Sequence, residues 1–253
     1  MQSKQKSFRL ITIPGSHYCE KARWALDILK FSYMEEPHMP PFHRFAITKV
    51  GGKSVPVLVT EDGIFTDSTD IIKYLDSIAP NDAKLYPINP EQRQEVEELE
   101  ELFDEKLAPQ VRLWAYFYLI NDSNFMKKIM CHGVPDSEKS SFTMFLPTMK
   151  STIKKEYNIN SESAVQAYQQ IKSVFETVDG LLADGRKYLI GDKISTADIT
   201  FASFVAMIIQ PRQYHIKSSI SQKIPLKMLS EIKELMGTAS VKFVLRLYAA
   251  ERT

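Results

Sequence analysis

The chain has 253 residues, with 32 basic and 31 acidic side chains, so its near-zero net charge creates no global field toward nucleic acid or an anionic membrane. Only two cysteines occur, Cys19 and Cys131, which argues against a secreted disulfide framework and favours a reducing compartment. The polar start at 1–7 lacks a signal sequence, and the most apolar windows, 113–120 and 199–209, are shorter than the roughly 20 residues of a bilayer span. We expect a cytoplasmic protein that neither spans a membrane nor binds nucleic acid.

The first part of the chain alternates strand and helix patterns. Phe8–Ile13 is mostly apolar and ends in a Pro-Gly turn, which predicts a short strand. Apolar residues at helical spacing over 17–30 predict a helix directly after it. Val55–Thr60 predicts a second strand, and a tight turn leads to a returning strand at 64–66. A further apolar stripe over 71–79 predicts a helix. This order is typical of an α/β domain.

Three prolines lie between positions 80 and 90, in a segment with neither helical nor strand periodicity. Such a segment is typical of an inter-domain linker, which we assign to 81–90. Beyond it the patterns are helical only. The chain is therefore predicted to divide into an α/β domain over 1–80 and an all-helical domain over 91–253.

Within the helical part, residues 91–120 and 161–183 carry clear apolar stripes. Pro109 is expected to kink or interrupt the first of these helices. Residues 121–160 show no sustained period and are the least legible stretch. The adjacent Cys131 and His132 lie there, but two neighbouring ligands without partners do not predict a metal site.

Ser16 stands at the turn from the first strand into the first helix. Backbone N–H groups and the helix dipole favour negative charge at a helix N-terminus, so a hydroxyl there can donate to an anion such as a thiolate. One charge-assisted hydrogen bond is worth about 1.5–3 kcal/mol, enough to lower a thiol pKa by about one to two units. The alternative is that Ser16 only caps the helix, a role that serine often fills.

Two further pairs are candidates for binding. Val55-Pro56 places a proline at the opening of a strand, and a cis bond there would turn the Val55 backbone outward to pair with an extended peptide. Asp67-Ser68 precedes a helix and either caps it or binds an α-amino acid end. In the second case Ser68 and the backbone N–H groups hold the carboxylate while Asp67 accepts from the ammonium group.

The order of these features resembles that of the cytosolic glutathione transferases. SHYCEKARWAL (16–26) is similar to the activating turn of the serine-type tau and zeta classes, and also to that of the omega class. VPVL (55–58) matches the family's strand opening, and FTDSTDIIKYLD (65–76) matches its Glu/Asp-Ser helix start. YLIGDKISTADITFAS (188–203) resembles the family's C-terminal motif. The resemblance covers most of the chain outside 121–160.

The resemblance implies a thioredoxin-like N-terminal domain, an all-α C-terminal domain, and glutathione as co-substrate without a metal. Ser16 would activate the glutathione thiol for attack on a hydrophobic electrophile. The residues implied to bind glutathione are Lys53, Val55, Pro56, Asp67 and Ser68. An acceptor pocket between the domains would be lined by Trp114, Phe117 and Tyr118, although these aromatic residues could equally belong to the core. The resemblance further implies a homodimer with a role in detoxification.

Two other functions stay open. Cys19 could act as a thiol in glutathione-dependent thiol/disulfide reduction, yet it also lies on the apolar stripe of its helix, where a buried inert thiol is expected. Alternatively, the chain could be a non-catalytic binding or scaffold module, because a fold does not by itself determine a function. Retention of Ser16, Val55-Pro56 and Asp67-Ser68 together favours catalysis.

Overall fold

A computed structural model describes residues 8–216 and 224–252 of the chain. The polar start at 1–7, in which no signal sequence is predicted, lies outside the described residues. The N-terminal part contains one four-stranded sheet and three helices. The strands are β1 (Phe8–Thr12), β2 (Tyr33–Pro37), β3 (Val57–Val59) and β4 (Ile64–Phe65), and the helices are α1 (His17–Ile28), α2 (Phe42–Thr48) and α3 (Ser68–Ile78).

The sheet has the strand order β2-β1-β3-β4. β1 and β2 are parallel and joined through α1, whereas β3 runs antiparallel to β1 and β4 antiparallel to β3. Alternate side chains of the strands enter two cores. Ile11 and Val57 pack with Ile47 of α2 on one face, and Leu10 and Leu58 enter the main core on the other. That main core continues into the helical part of the chain.

Residues 79–89 contain neither helix nor strand, and in the described residues after them, 90–216 and 224–252, the regular elements are all helices. These are α4 (Pro90–Leu102), α5 (Ala108–Leu119), α6 (Ser123–Cys131), α7 (Asp136–Glu156), α8 (Ser161–Leu181), α9 (Thr196–Ile209), α10 (Leu226–Met236) and α11 (Ala239–Ala250). The predicted interruption at Pro109 is confirmed as a π-helical stretch at Phe103–Leu107, which separates α4 from α5. Proline has no N–H to donate to the preceding turn, so the hydrogen-bond ladder changes there.

The stretch over 121–160, which showed no sustained period, is helical. Asp122 caps α6 by accepting from Asn124 N at 2.9 Å and from Phe125 N at 3.0 Å. α7 runs on through an internal proline, Pro147. The sequence analysis also assigned no element to β2 or α2. The unpredicted α6 matters for the site, because its residue Ile129 lies against Gly15 in the turn before α1.

The predicted C-terminal motif forms a capping box at the start of α9. The N–H of Ser195 donates to Asp198 Oδ2 at 2.7 Å, and Leu189 N donates to Asp198 Oδ1 at 2.8 Å. Burial raises the pKa of Asp198 to about 6, although these donors act against the rise. Within 8–216 and 224–252, no helix combines the length and apolar character needed to cross a membrane. The same residues contain no cluster of three His, Cys, Asp or Glu side chains placed to hold a metal ion.

Candidate active site

The register of the sheet brings the predicted glutathione ligands to one end of it. Ile11 of β1 faces Val57 of β3, so the chain before Val57 lies beside the chain leaving β1 toward Ser16. Leu58 likewise faces Phe65 of β4, which carries the chain leaving β4 toward Asp67 to the same end. A hydrogen bond from Ser54 Oγ to the carbonyl of Thr66, at 3.4 Å, joins the last two segments directly.

Ser16 caps α1 and remains half-buried. Its Oγ accepts from the N–H of Cys19 at 3.3 Å, and its own N–H donates to the carbonyl of Ile13 at 3.1 Å. Ser16 therefore caps α1, which is one of the two roles predicted for it. Capping uses the hydroxyl oxygen as an acceptor and leaves its hydrogen free to donate, so it does not exclude a role in stabilising an anion.

The turn before Ser16 is held by the helical part of the chain. The carbonyl of Pro14 accepts from His215 Nε2 at 2.9 Å and from Arg23 Nη2 at 3.4 Å. Gly15 lies against α6, where a Cβ would come within 2.8 Å of the carbonyl oxygen of Ile129. Only glycine fits that approach, because any side chain would collide with backbone. Sequence analysis missed His215 and Ile129, since neither belongs to a motif.

Behind the turn lies a buried carboxylate, Glu20, with no exposed surface. His215 Nδ1 lies 2.9 Å from one of its oxygens and Arg252 Nε 3.1 Å from the other. Burial alone would raise the pKa of Glu20, but the hydrogen bond from His215 and the charges of Arg252 and Arg23 hold it at about 2. Glu20 is therefore an anion that orders the cations around the turn.

Asp67 is exposed and caps α3, accepting from Thr69 N at 2.8 Å and from Asp70 N at 3.4 Å. Ser68 is 4% exposed at the first position of that helix. Val55 is half-buried and precedes the ladder, since β3 pairs with β1 from Val57 onward, and the Val55–Pro56 bond is cis. Lys53 is exposed two residues earlier. These positions are compatible with the ligand roles that the resemblance implies.

A buried lysine, Lys21, ties the first turn of α3 to the helical part. Its Nζ lies 2.9 Å from Thr69 Oγ1, 2.9 Å from Glu100 Oε1 and 2.8 Å from Asp104 Oδ2. Burial would lower the pKa of Lys21, but the two carboxylates raise it. The charged Lys21 thus fixes Thr69, which lies next to Ser68.

Two of the three aromatic residues predicted to line the acceptor pocket make hydrogen bonds to α10. Trp114 Nε1 and the Tyr118 hydroxyl both donate to Glu231 of α10, at 2.7 and 3.0 Å, so these two rings are directed to α10. Phe117 is half-buried against Tyr118. Arg112 lies about 200° around α5 from Trp114, and its charge acts on His17 and Tyr18 of α1. Periodicity alone could not distinguish these sides, because both carry large side chains.

Cys19 does not have the surroundings of a reactive thiol. It has no exposed surface, and burial raises its pKa although the charge of Arg23 acts against the rise. Reactive cysteines are partly exposed and have a lowered pKa. The predicted redox role of Cys19 is therefore not supported. Cys131 is also buried, against Met39, and burial likewise raises its pKa.

Comparisons with known proteins agree with this architecture. The family model for the glutathione S-transferase N-terminal domain matches residues 10–103, and the model for the C-terminal domain matches residues 123–226. Together these matches span most of the chain. A search of curated protein sequences finds no significant match.

Several solved structures are similar in fold. The β-etherase LigF from Sphingobium sp. strain SYK-6 has a TM-score of 0.60 at 15% identity, over 94% of this chain and 98% of that chain. A glutathione S-transferase from Rhodospirillum rubrum F11 has 0.56 at 21%, over 97% and 100%. One from Methylobacterium radiotolerans, in complex with glutathione sulfonate, has 0.55 at 15%, over 94% of both chains. With both domain models matched in order, the chain belongs to the glutathione S-transferase family.

Proposed function

We propose that this protein is a glutathione transferase in which Ser16 stabilises the thiolate of bound glutathione. The observation that carries the proposal is the meeting of three segments at one end of the sheet: the half-buried Ser16, the chain before Val57, and the exposed Asp67. Cys19 is buried with a raised pKa, so a mechanism through a protein thiol has no comparable support.

Glutathione binds in an extended form across that end of the sheet. Its γ-glutamyl carboxylate accepts from Ser68 and the first N–H groups of α3, and its ammonium group donates to Asp67. Its cysteinyl backbone pairs with Val55 at the cis bond to Pro56, and Lys53 reaches the glycyl carboxylate. Lys21 acts through Thr69 and holds the first turn of α3 in place.

The Ser16 hydroxyl donates to the sulfur, and the dipole of α1 adds to the stabilisation of the thiolate. The thiol proton leaves to solvent. The sulfur then attacks an electrophilic carbon of a hydrophobic co-substrate and forms the C–S bond, and the leaving group departs with its electron pair. Ser16 is an activator and is not itself the nucleophile. We further propose that the protein works as a cytoplasmic homodimer in detoxification.

The first test is calorimetric titration with reduced glutathione, since it requires no choice of electrophile. We expect saturable binding that weakens at least tenfold in the Asp67→Ala/Ser68→Ala double variant, because two charge-assisted contacts are lost. Absence of binding at millimolar glutathione would contradict any glutathione-dependent activity and leave a binding or scaffold module.

The second test measures turnover with 1-chloro-2,4-dinitrobenzene. Ser16→Ala should lower kcat/KM about tenfold to a hundredfold, because one hydrogen bond to a charged sulfur is lost. Ser16→Thr is the matched control, since threonine keeps both the hydroxyl and the capping oxygen. Unchanged turnover in Ser16→Ala would remove Ser16 from the mechanism.

A further inference from the structure

Arg112 on α5 is a cation without a counter-ion. It is half-buried, and its guanidinium stacks at 4.1 Å from the ring centre of Tyr157. Its Nε is buried and has no hydrogen-bond acceptor. Among the residues that the structure describes, no carboxylate lies within 4 Å of it. Several other arginines do have a carboxylate partner: Arg9, Arg23, Arg93, Arg186 and Arg252.

The charge of Arg112 acts on two residues of the first turn of α1, His17 and Tyr18, and Ser16 caps that helix. His17 directly follows Ser16 and lies close to the backbone of Ala108, one turn before Arg112. Burial is the main reason why the pKa of His17 is well below its usual value, and the charge of Arg112 is the second. Arg112 also acts on Tyr18, whose pKa burial raises to about 12.

No carboxylate in the described part of the chain forms an ion pair with Arg112, although the charges of Asp104 and Asp67 act on Tyr18 as that of Arg112 does. His17 is 1% exposed and uncharged, and neither of its ring nitrogens has a hydrogen bond of normal geometry within the described residues. The neighbours are aromatic. Tyr116 stacks on Tyr157 with an angle of 5° between the rings, and Tyr18 packs edge-on against Phe204. An unpaired guanidinium among such rings is typical of a site for a flat molecule that carries an anionic group.

We infer that Arg112 binds a carboxylate on the electrophile, so that the acceptors of this transferase are planar, largely apolar molecules with one anionic group. The inference rests on the proposed function. Glutathione offers two carboxylates, but these are assigned to Ser68 with the first turn of α3 and to Lys53. Arg112, on α5, is therefore left for the second substrate.

The test compares two electrophiles that differ in charge, 4-chloro-3,5-dinitrobenzoate and 4-chloro-3,5-dinitrobenzamide. In both reactions the glutathione sulfur forms a bond to the ring carbon, and chloride leaves with the electron pair of the C–Cl bond. Each kcat/KM is divided by the uncatalysed rate constant. We expect Arg112→Gln to lower the value for the benzoate about tenfold to a hundredfold and that for the benzamide less than twofold. Arg112→Lys should restore part of the loss.

Arg93→Gln is the matched control, because Arg93 also lies over a tyrosine ring, Tyr86 at 4.8 Å, but has its own partner in Glu97 at 3.1 Å. Arg93→Gln should leave kcat/KM unchanged for both substrates. An equal loss for both substrates in Arg112→Gln would overturn the inference, since the arginine would then act on the sulfur or on the fold.

A second measurement separates this inference from the proposed function. Calorimetry compares binding of the two S-aryl glutathione products, one with the carboxylate and one with the amide. Tighter binding of the carboxylate product that disappears in Arg112→Gln would support the anion site even if no turnover were seen, in which case only the proposed transfer fails. Equal affinities of the wild type for both products would overturn the anion site, whatever the turnover.

Discussion

Two consecutive residues of α1, Glu20 and Lys21, are both charged and both fully buried, but in opposite surroundings. Glu20 is an anion beside Arg252 from the C-terminal end of the chain, Arg23 of α1 and the imidazole of His215. Lys21 is a cation between Glu100 and Asp104, which lie at the start of the helical part. Neighbouring residues of a helix point about 100° apart, so α1 is held by the helical part on two sides.

We call Glu20 with His215 and Arg252 the Glu20 cluster, and Lys21 with Glu100 and Asp104 the Lys21 cluster. The two clusters support different parts of the proposed site. The Glu20 cluster reaches the carbonyl of Pro14 through His215 and therefore holds the turn that carries Ser16. The Lys21 cluster reaches Thr69 and holds the helix start assigned to the γ-glutamyl end. Thus each end of the proposed glutathione site depends on an ion cluster that joins the two parts of the chain.

Among the variants of these contacts, Glu20→Gln is expected to cause the largest loss in the free energy of unfolding. Removing the carboxylate leaves His215 without its anion and weakens the hold on Arg252, and an uncompensated buried charge costs about 3–5 kcal/mol. Urea unfolding at pH 7 measures the loss in the free energy of unfolding. Glu98→Gln, at an exposed position of α4, is the control and should cost less than about 0.5 kcal/mol. A loss below 1 kcal/mol in Glu20→Gln would contradict the importance of the Glu20 cluster.

The same variant has a defined pH dependence. The pKa of Glu20 is about 2 in the folded protein against 4.5 as its ordinary value. A lowered folded-state pKa means that the stabilisation is fully present above about 4.5 and is lost as the pH falls toward 2. The difference between wild type and Glu20→Gln should therefore shrink over that interval. A difference that stays constant down to pH 2 would show that shape, and not charge, is responsible.

Lys21→Met should lower the free energy of unfolding by about 2–3 kcal/mol, which is less than Glu20→Gln. Glu100 keeps the hydrogen bond from the Tyr86 hydroxyl, and Thr69 can donate to one of the two carboxylates. The side chain of Asp104 is 23% exposed, so it can take up a proton or meet water. Urea unfolding again measures the loss, with the exposed Lys106→Met as control. The pKa of Lys21 is raised, so its contribution should be present at neutral pH and be lost as the pH rises above about 10. It should also be lost in acid, where Glu100, whose pKa Lys21 lowers, takes up a proton. A cost equal to that of Glu20→Gln would remove the proposed difference between the clusters.

The smallest loss in the free energy of unfolding is expected for a third, less buried contact between the N-terminal part and the helical part of the chain. His38 lies after β2, with Nδ1 2.5 Å from Glu138 of α7 and Nε2 2.9 Å from Glu36. Burial would lower the pKa of His38, but these carboxylates raise it. The stabilisation is thus present below pH 6.5 and is lost as the pH rises through the raised value. His38→Gln should cost about 1 kcal/mol at pH 6 and less at pH 9.

His43→Gln is the control for that measurement. Burial lowers the pKa of His43 to about 4, so this side chain is neutral at both pH values and its replacement should have the same effect at pH 6 and pH 9. Equal costs of His38→Gln at the two pH values would contradict an ionic role for His38.

Much of the glutathione side was predictable because it depends on short-range signals. A serine at a strand-to-helix turn, an Asp-Ser at a helix start and a capping box act within four residues of the chain. β2 was missed because Glu35 and Glu36 make it look polar. In the structure these carboxylates pair with Arg23 and Arg9, at 2.7 Å each, and the strand is placed by that pairing and by β1. Likewise, Pro147 obscured α7 in the sequence.

By itself, the sequence determined the strands β1, β3 and β4, the helices α1 and α3, and the candidates Ser16, Val55-Pro56 and Asp67-Ser68. Only the tertiary structure decided the surroundings of these residues: His215 on the carbonyl of Pro14, Ile129 against Gly15, and Arg112 instead of Trp114 toward the start of α1. The physical reason is distance along the chain. Caps and turns are set by neighbouring residues, whereas these contacts join segments about 100 to 200 positions apart, and only the packing of the complete core brings them together.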